Sequence, residues 1–524
     1  MLTLNDRLYD RAAQFLYLLI ALVIVLTFQD YGITWDEELQ SQYGLAVVDY
    51  YQTFFKDHRF AQIFNLYLYG GMFDGLASLI DSLTPFTVYE TRHFINALFG
   101  LMGIWGTYRV GKFLGGGFVG FAAAIILTLT PMYYGHMFNN PKDIPFATGV
   151  IWSIYYMARI YQSAGKPSRG LKLKLGLICG LTLGIRVGGA MLVVFWIMPY
   201  TWDILQKLLK EKSVDNLFKV LNYNVKDFLK FAIPIGIMAY VVMLVCWPWA
   251  QQNPILNPLR ALSEFSNFPQ DVEVLLNGTV YRSTQLPWYY VPLYFAVQLP
   301  EFLLLLLSAW LFVLPSIWRD MQHYQKQALV LILLMAVVPV VYAVLRHPAL
   351  YDAVRHFLFT VPLGCIVAAL TLHKLFRILK SFGRVLLGCA FVAFVTVQIV
   401  TMVRLHPYEY IYANQFTGGT TGAYGQYESD YWGTSFKEAA EQIQAQVIKE
   451  GGIPSGKIYR IAICGPWDAA MIYLPPDFEP VVANEPAEFF LSTTRWMCQN
   501  MRAGKEIIRI QRLGVPLSVV KDLR

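Results

Sequence analysis

Charged residues are scarce in this chain. Asp, Glu, Lys and Arg supply 15% of 524 residues, where a soluble domain carries about 25%. So small a polar coat excludes a string of soluble domains, and the composition excludes disorder and a collagen-like fibre as well. Cysteine is also sparse. Six residues are too few for a disulfide-rich secreted scaffold. The sequence contains no Walker loop, no GxGxxG after a strand, no HExxH and no clustered Cys/His ligand set, which argues against a nucleotide-hydrolysing engine. No Ser-His-Asp arrangement can be argued, and no internal repeat or low-complexity segment occurs.

What the chain has is apolar surface. Hydrophobic residues make up 56% and aromatics 15%, and the mean hydropathy is +0.43. This is the composition of an α-helical polytopic membrane protein with Trp and Tyr at the interfaces. Runs long enough to span, each about 20 residues, lie near 13–29, 93–110, 117–133, 144–160, 171–185, 187–204, 231–248, 297–316, 328–345, 356–373 and 384–403, about eleven in all. Basic residues fall on alternate loops: Arg7 and Arg11; Arg109 and Lys112; Arg159 to Lys174; the lysines of 207–230; Arg319 and Lys326; Lys374 to Arg384. By the positive-inside rule the N-terminus is cytoplasmic and the C-terminus extracytoplasmic. The first span, with no small-x-small cleavage site after it, is expected to stay as a signal anchor. The net charge of +7 reflects this topology, and nucleic acid is not an expected partner.

Residues 1–403 therefore read as a transmembrane domain with long outer loops at 30–92 and 249–296. In the first loop Tyr43, Val47, Tyr50 and Phe54 repeat at helical spacing, as in a helix lying on the interface. Residues 404–524 turn polar and read as a small extracytoplasmic α/β domain. Strands are expected at Tyr459–Cys464, Glu488–Ser492 and Ile507–Arg512, after a helix at Phe436–Lys449. Cys464 and Cys498 both fall in it, either as a disulfide or as two buried thiols.

Acidic and basic residues cluster at the outer ends of the spans. After the first span comes Thr34-Trp35-Asp36-Glu37-Glu38. Acids in a first helical turn are favoured by the dipole, which accounts well for Glu37 and Glu38. For Asp36 a functional role is favoured, because a second acidic site faces the same compartment. That site is His136-Met137-Phe138-Asn139-Asn140-Pro141-Lys142-Asp143. Helix capping would account for Asp143, but not for Lys142 and His136 at the same depth. Two carboxylates beside a cation suit a general base and a bound phosphate or diphosphate. Arg186 interrupts a glycine-rich stretch between spans. A guanidinium in the bilayer costs about 2.5 kcal/mol or more unless paired, so it reads as a site residue or as half of a buried ion pair. Arg355 and His356 open a late span, where a snorkelling Arg is common. Aromatics alternate with acids and amides over Tyr408–Trp432, as on a carbohydrate-facing surface or an interfacial anchor.

With these residues placed, the chain resembles the GT-C membrane glycosyltransferases. The likeness is strongest to the bacterial branch related to protein O-mannosyltransferases and to the lipid A aminoarabinose transferase. It rests on Asp36-Glu37, on Arg92-His93-Phe94-Ile95-Asn96 and Tyr108-Arg109-Val110-Gly111-Lys112 bounding the second span, on the proline-ended third span followed by Asp143, and on Arg355-His356-Phe357, with His where the family has Tyr. The resemblance implies inverting transfer of a sugar from a polyprenyl-phosphate donor to a lipid, glycan or protein acceptor on the outer face. Asp36, with Glu37, would supply the base. Asp143 would be the second acid. Lys142, Arg186, Arg355 and His356 would hold the donor phosphate, and His136 and Asn140 would line the acceptor side. No cofactor is expected from the residues, and a divalent metal ion stays open because GT-C members differ in using one. Two other readings compete: a transporter or flippase of lipid-linked glycans, which should show repeats, and an O-antigen ligase or polymerase. No ER-retention signal ends the chain, so a bacterial inner membrane is expected.

Overall fold

The computed structural model describes residues 4–163, 166–210, 214–266, 270–454 and 456–524; part of the basic 207–230 stretch, residues 211–213, lies outside them. Chain order runs α1 (Leu4–Thr27), α2 (Glu37–Gln52), α3 (Met72–Asp81), α4 (Val88–Gly115), α5 (Gly117–Thr128), α6 (Pro131–Asn139), α7 (Asp143–Gln162) and α8 (Arg169–Leu183). Then come α9 (Ala190–Lys210), α10 (Val214–Cys246), α11 (Pro248–Gln252), α12 (Leu256–Ser266), the hairpin β1 (Glu273–Leu276) and β2 (Thr279–Arg282), and α13 (Tyr290–Gln298). The last apolar helices are α14 (Glu301–Asp320), α15 (His323–Arg346), α16 (Val361–Ile378) and α17 (Ser381–Leu405).

A helix occupies each of the eleven expected spans. Among the described residues six of them, α1, α10, α14, α15, α16 with its lead-in turn, and α17, are long and apolar enough to cross a membrane. The third expected span differs from a straight rod. It breaks after Leu129, and α6 leaves α5 at 68°, because Pro131 cannot donate into the preceding turn and instead starts a new helix. That bent pair makes a seventh candidate. The other four helices are short or carry polar residues: α8 has 15 residues, and α4 buries Arg92, His93 and Asn96. The start of α4 is fixed by a capping box, with the Glu90 N–H donating to Thr87 Oγ1 and the Thr87 N–H to Glu90 Oε2. Such a helix is held by neighbours rather than by lipid. The 214–230 stretch, expected as a loop, is helical and continuous with the seventh span.

α2 covers the helical pattern of the first loop. Tyr43, Val47 and Tyr50 are buried, whereas Phe54 lies past the helix end at positive φ and is 81% exposed. The C-terminal part holds α18 (Gly419–Ala423), α19 (Phe436–Lys449), α20 (Trp467–Met471) and a five-stranded sheet. Its strands are β3 (Tyr459–Cys464), β4 (Phe478–Val482), β5 (Phe489–Thr493), β6 (Lys505–Arg512) and β7 (Val515–Asp522), in the order β4-β3-β5-β7-β6. β3 runs parallel to β4 and β5, and β7 antiparallel to β5 and β6. Phe436, Ala440, Ile443 and Val447 form the buried stripe of α19, at the 3.6 period of an amphipathic helix. Cys464 and Cys498 form a disulfide. The sheet unit is tied to the helices at several points. Asn414 Nδ2 donates to the carbonyls of Ala296 and Leu299 at 2.6 and 2.8 Å, and His406 sits 2.9 Å from both Asp30 and Glu409.

Candidate functional site

A polar cavity of about 330 Å³ opens where α2, the α6–α7 turn, the α8–α9 break, the lead-in to α16 and the C-terminal part converge. Asp36, Lys142, Arg186, Arg355 and His356 all line it. Asp36 precedes α2, and its exposed carboxylate makes no hydrogen bond or ion pair among the described residues. Free of a partner, it is the one acid on this wall able to accept a proton from a bound group without breaking an ion pair.

The floor is set by backbone. Residues 69–72 are clamped to the ends of α8 and α10, with the Gly71 N–H donating to Cys246 O at 2.8 Å and the Met72 N–H to Gly184 O at 3.1 Å. A Cβ at Gly70 would lie 1.9 Å from Gly184 O, so only glycine permits this approach. The clamp presents the Tyr69 ring to the cavity. Lys142 Nζ lies 4.0 Å from the ring centroid and the Arg186 guanidinium 5.7 Å, both within cation–π range. Lys142 is partly open to the cavity but enclosed by protein, and burial pushes its ammonium down to about 8, against the pull of Asp36 and Asp74.

Arg186 has extended backbone between two helical segments, and its cation is not stranded. Its Nη2 lies 2.7 Å from Asp143 Oδ1. Asp143 Oδ2 lies 3.8 Å from Arg355 Nη1, and Arg355 Nη2 lies 3.1 Å from Asp352 Oδ2. Arg495 Nη2 donates to the other Asp352 oxygen at 3.0 Å, and Arg495 Nε lies 2.8 Å from Glu428 Oε2 without hydrogen-bond alignment. Arg186, Asp143, Arg355, Asp352, Arg495 and Glu428 thus form one chain of alternating charge. It runs from a break between membrane helices to the turn after β5. Alternation in a buried setting lets each ion offset the desolvation of its neighbours. Asp352 and Ala353 both have left-handed backbone, φ +56° and +57°, which is strained for side-chain-bearing residues and is held here by the ion pairs.

The remaining expected residues sit beside the cavity. Asp143 is buried behind Arg186 and Arg355 and does not line it. Asn140 Oδ1 accepts the Asp143 N–H at 3.0 Å, and its Nδ2 donates to Asp143 Oδ2 at 2.8 Å and lies 2.8 Å from His136 Nδ1. His136 Nε2 meets the Tyr431 hydroxyl at 3.1 Å. His136 and Asn140 are both buried and do not line the cavity. Glu37 turns the other way. Its Oε2 accepts the Thr34 N–H at 2.8 Å, and its Oε1 lies 3.0 Å from His93 Nε2 on α4. His356 faces the cavity with a buried Nδ1 that has no partner among the described residues. Among those residues no group of three or more His, Cys, Asp or Glu could hold a metal ion.

Sequence reasoning missed Tyr69, Tyr351, Asp352, Arg495 and Trp496, all at the cavity. Asp352 and Arg495 are linked only through tertiary structure, and the one local signal was the polar Asp352 two residues before the Val354-Arg355 entry to a span. Of the aromatic stretch Tyr408–Trp432, Tyr410 and Tyr431 are buried against His136 of α6, Tyr408 is buried beside Glu438 and Arg512, and Trp432 lines the cavity. Trp35 and Trp496 flank the opening, with ring centroids 6.4 Å apart.

A second, apolar groove of about 720 Å³ starts from the same walls. Gly71, Met72, Pro145, Ile185 and Cys246 line it; Gly71 and Ile185 are close in the chain to Tyr69 and Arg186 of the polar cavity. An apolar trough thus lies near a cationic pocket that also carries the free carboxylate of Asp36.

Residues 76–214 match the family described as dolichyl-phosphate-mannose-protein mannosyltransferase. No curated protein matches the chain significantly. The structure of ArnT from Cupriavidus metallidurans bound to undecaprenyl phosphate is similar, at 14% identity over 97% of each chain and a TM-score of 0.44. The archaeal oligosaccharyltransferase AglB from Archaeoglobus fulgidus, in complex with an inhibitory peptide and a dolichol-phosphate, is 13% identical over 92% of this chain and 69% of its own, with a TM-score of 0.48. The chain is a multi-pass membrane protein that resembles the GT-C glycosyltransferases.

Proposed function

We propose that the chain transfers a sugar from a polyprenyl-phosphate donor to an acceptor at this cavity. The observation that carries the reading is the pairing of one free carboxylate, Asp36, with the cations Lys142, Arg186 and Arg355 in a single pocket, next to an apolar groove suited to a prenyl tail. Asp36 takes the proton of an acceptor hydroxyl, and the oxygen attacks the anomeric carbon. The bond from that carbon to the phosphate oxygen breaks, and the lipid phosphate leaves with the electron pair. Its growing negative charge is met by the three cations, already oriented by Asp143 and by Tyr69. Attack opposite the leaving group inverts the anomeric centre. Trp35, Trp496 and Trp432 give flat faces for sugar rings near the opening. In this reading the site faces the non-cytosolic side, which the loop charges favour. The acceptor is a lipid, a glycan or a protein.

The test is membrane-bound Asp36→Asn supplied with a radiolabelled polyprenyl-phosphate sugar pool. Removing a general base lowers the rate about 10²–10⁴-fold. Full transfer by the variant would end the assignment.

A further inference from the structure

α7 starts just after Lys142 in the wall of the polar cavity, and its far end, with the far end of α4, lies at a second polar cavity. From His93 to Arg109 on α4, and from Asp143 to Arg159 on α7, the rise is about 24 Å at ~1.5 Å per residue. At that far end a cavity of about 610 Å³ is lined by Asp10, Tyr108, Arg109, Lys112, Tyr155 and Arg159, among others. Lys112 and Tyr108 are both bonded to Asp10, which accounts for their polar atoms. Arg109 and Arg159 have no such partner. Arg109 Nη2 donates to the Tyr155 hydroxyl oxygen at 2.5 Å and Arg159 Nη1 donates to the same oxygen at 3.2 Å. Neither guanidinium meets a carboxylate among the described residues.

Basic residues at a span end serve topology, and topology needs only that they be solvated. It does not need two guanidiniums from different helices to converge on one neutral phenol inside a cavity. Two like charges held together repel, and a neutral oxygen offsets little of that. The pair is completed by an anion with several acceptor oxygens, which guanidinium forks match.

We propose that this cavity binds a phosphate group, carried by an acidic phospholipid headgroup or free in solution. Arg109 and Arg159 are its ligands, Lys112 lends charge, and Tyr155 sets the spacing of the two guanidiniums. The site is separate from the transferase pocket and stands whether or not that reading holds.

The experiment uses the full chain in detergent. Retention of phosphatidylglycerol against phosphatidylcholine is counted by native mass spectrometry, and binding of labelled inorganic phosphate by equilibrium dialysis. Each is compared between the wild type, Arg159→Gln and Arg159→Lys, so that phosphate held at the catalytic cavity cancels. Arg159 is exposed, so the fold does not depend on it. Preferential phosphatidylglycerol retention that falls about tenfold in Arg159→Gln, and less in Arg159→Lys, supports the site with a lipid headgroup as its source. The same loss seen with inorganic phosphate alone supports it with the free anion as its source. Equal retention of both lipids, or phosphatidylglycerol and phosphate binding unchanged in Arg159→Gln, overturns it.

Discussion

Arg495 donates to Asp352 at 3.0 Å across 143 residues of chain. The same guanidinium lies 2.8 Å from Glu428 and donates from Nη1 to the Tyr431 carbonyl at 2.8 Å. Asp352 in turn holds Arg355, so the C-terminal part orients a cation in the wall of the cavity without having to touch the donor. The pocket is therefore completed by a side chain from the sheet unit.

Arg495→Gln should lower both stability and transfer. Taking one partner from a buried ion pair costs about 3–5 kcal/mol; here Glu428 loses its cation, while Asp352 keeps Arg355. Glu428 is the more exposed to this loss, since burial already raises its carboxyl and Arg495 is what pulls it down. Arg495→Gln with Glu428→Gln should be more stable than Arg495→Gln alone, by thermal melting in detergent. If the double variant is no better than the single, the alternating chain is not a coupled unit.

Lys142 gives the pocket a pH dependence. Burial pushes its ammonium down to about 8, so its charge is present below that pH and lost as pH rises through it. A bound phosphate favours the protonated form. Donor KM should therefore rise above pH 8, while Lys142→Arg, charged throughout, should keep a flat KM across pH 7–9.5. A wild-type KM that is flat over that range would show that Lys142 does not hold the phosphate.

The helices were legible because apolar runs of membrane length have one physical reading. The bend after Leu129 was signalled by Pro131, but a span read by hydropathy alone runs through it. Arg186 stood out as a charge in an apolar, glycine-rich stretch, and its partner Asp143 was named without any means of pairing the two. The sequence favours function for Asp36 and the helix dipole for Glu37, without saying where either side chain points. Adjacent residues at a helix start point in different directions, so one faces the cavity and the other faces His93. In the sheet, β3, β5 and β6 carry dense β-branched or aromatic runs. β4 was missed because Pro480 interrupts a short edge strand, where proline is tolerated. β7 was missed because Pro516 and Ser518 dilute its pattern, although it lies between β5 and β6. No local rule links Asp352 to Arg495.

The Cys464–Cys498 disulfide ties the end of β3 to the turn that carries Arg495 and Trp496. Closing a loop of 34 residues stabilises by about 2–4 kcal/mol through the unfolded chain. Cys464→Ser with Cys498→Ser should lower the melting temperature and weaken transfer, through a less fixed Arg495. The activity loss should largely vanish in an Arg495→Gln background, where nothing remains to position. Additive losses would mean the disulfide acts elsewhere.

Glu37 and Asp36 separate support from chemistry. Glu37→Gln keeps an oxygen for the Thr34 N–H and removes only the charge facing His93. Both groups are fully buried, so the variant should cost about 1–3 kcal/mol of stability, read as a lower melting point, with donor KM unchanged. Asp36→Asn sits at an exposed position with no partner to lose, so its melting point should stay near wild type while transfer collapses. The two neighbours thus predict opposite signatures. Were Glu37→Gln to abolish transfer in a chain that melts like wild type, the base would be Glu37, reached by a rotation of the α2 start that frees it from His93.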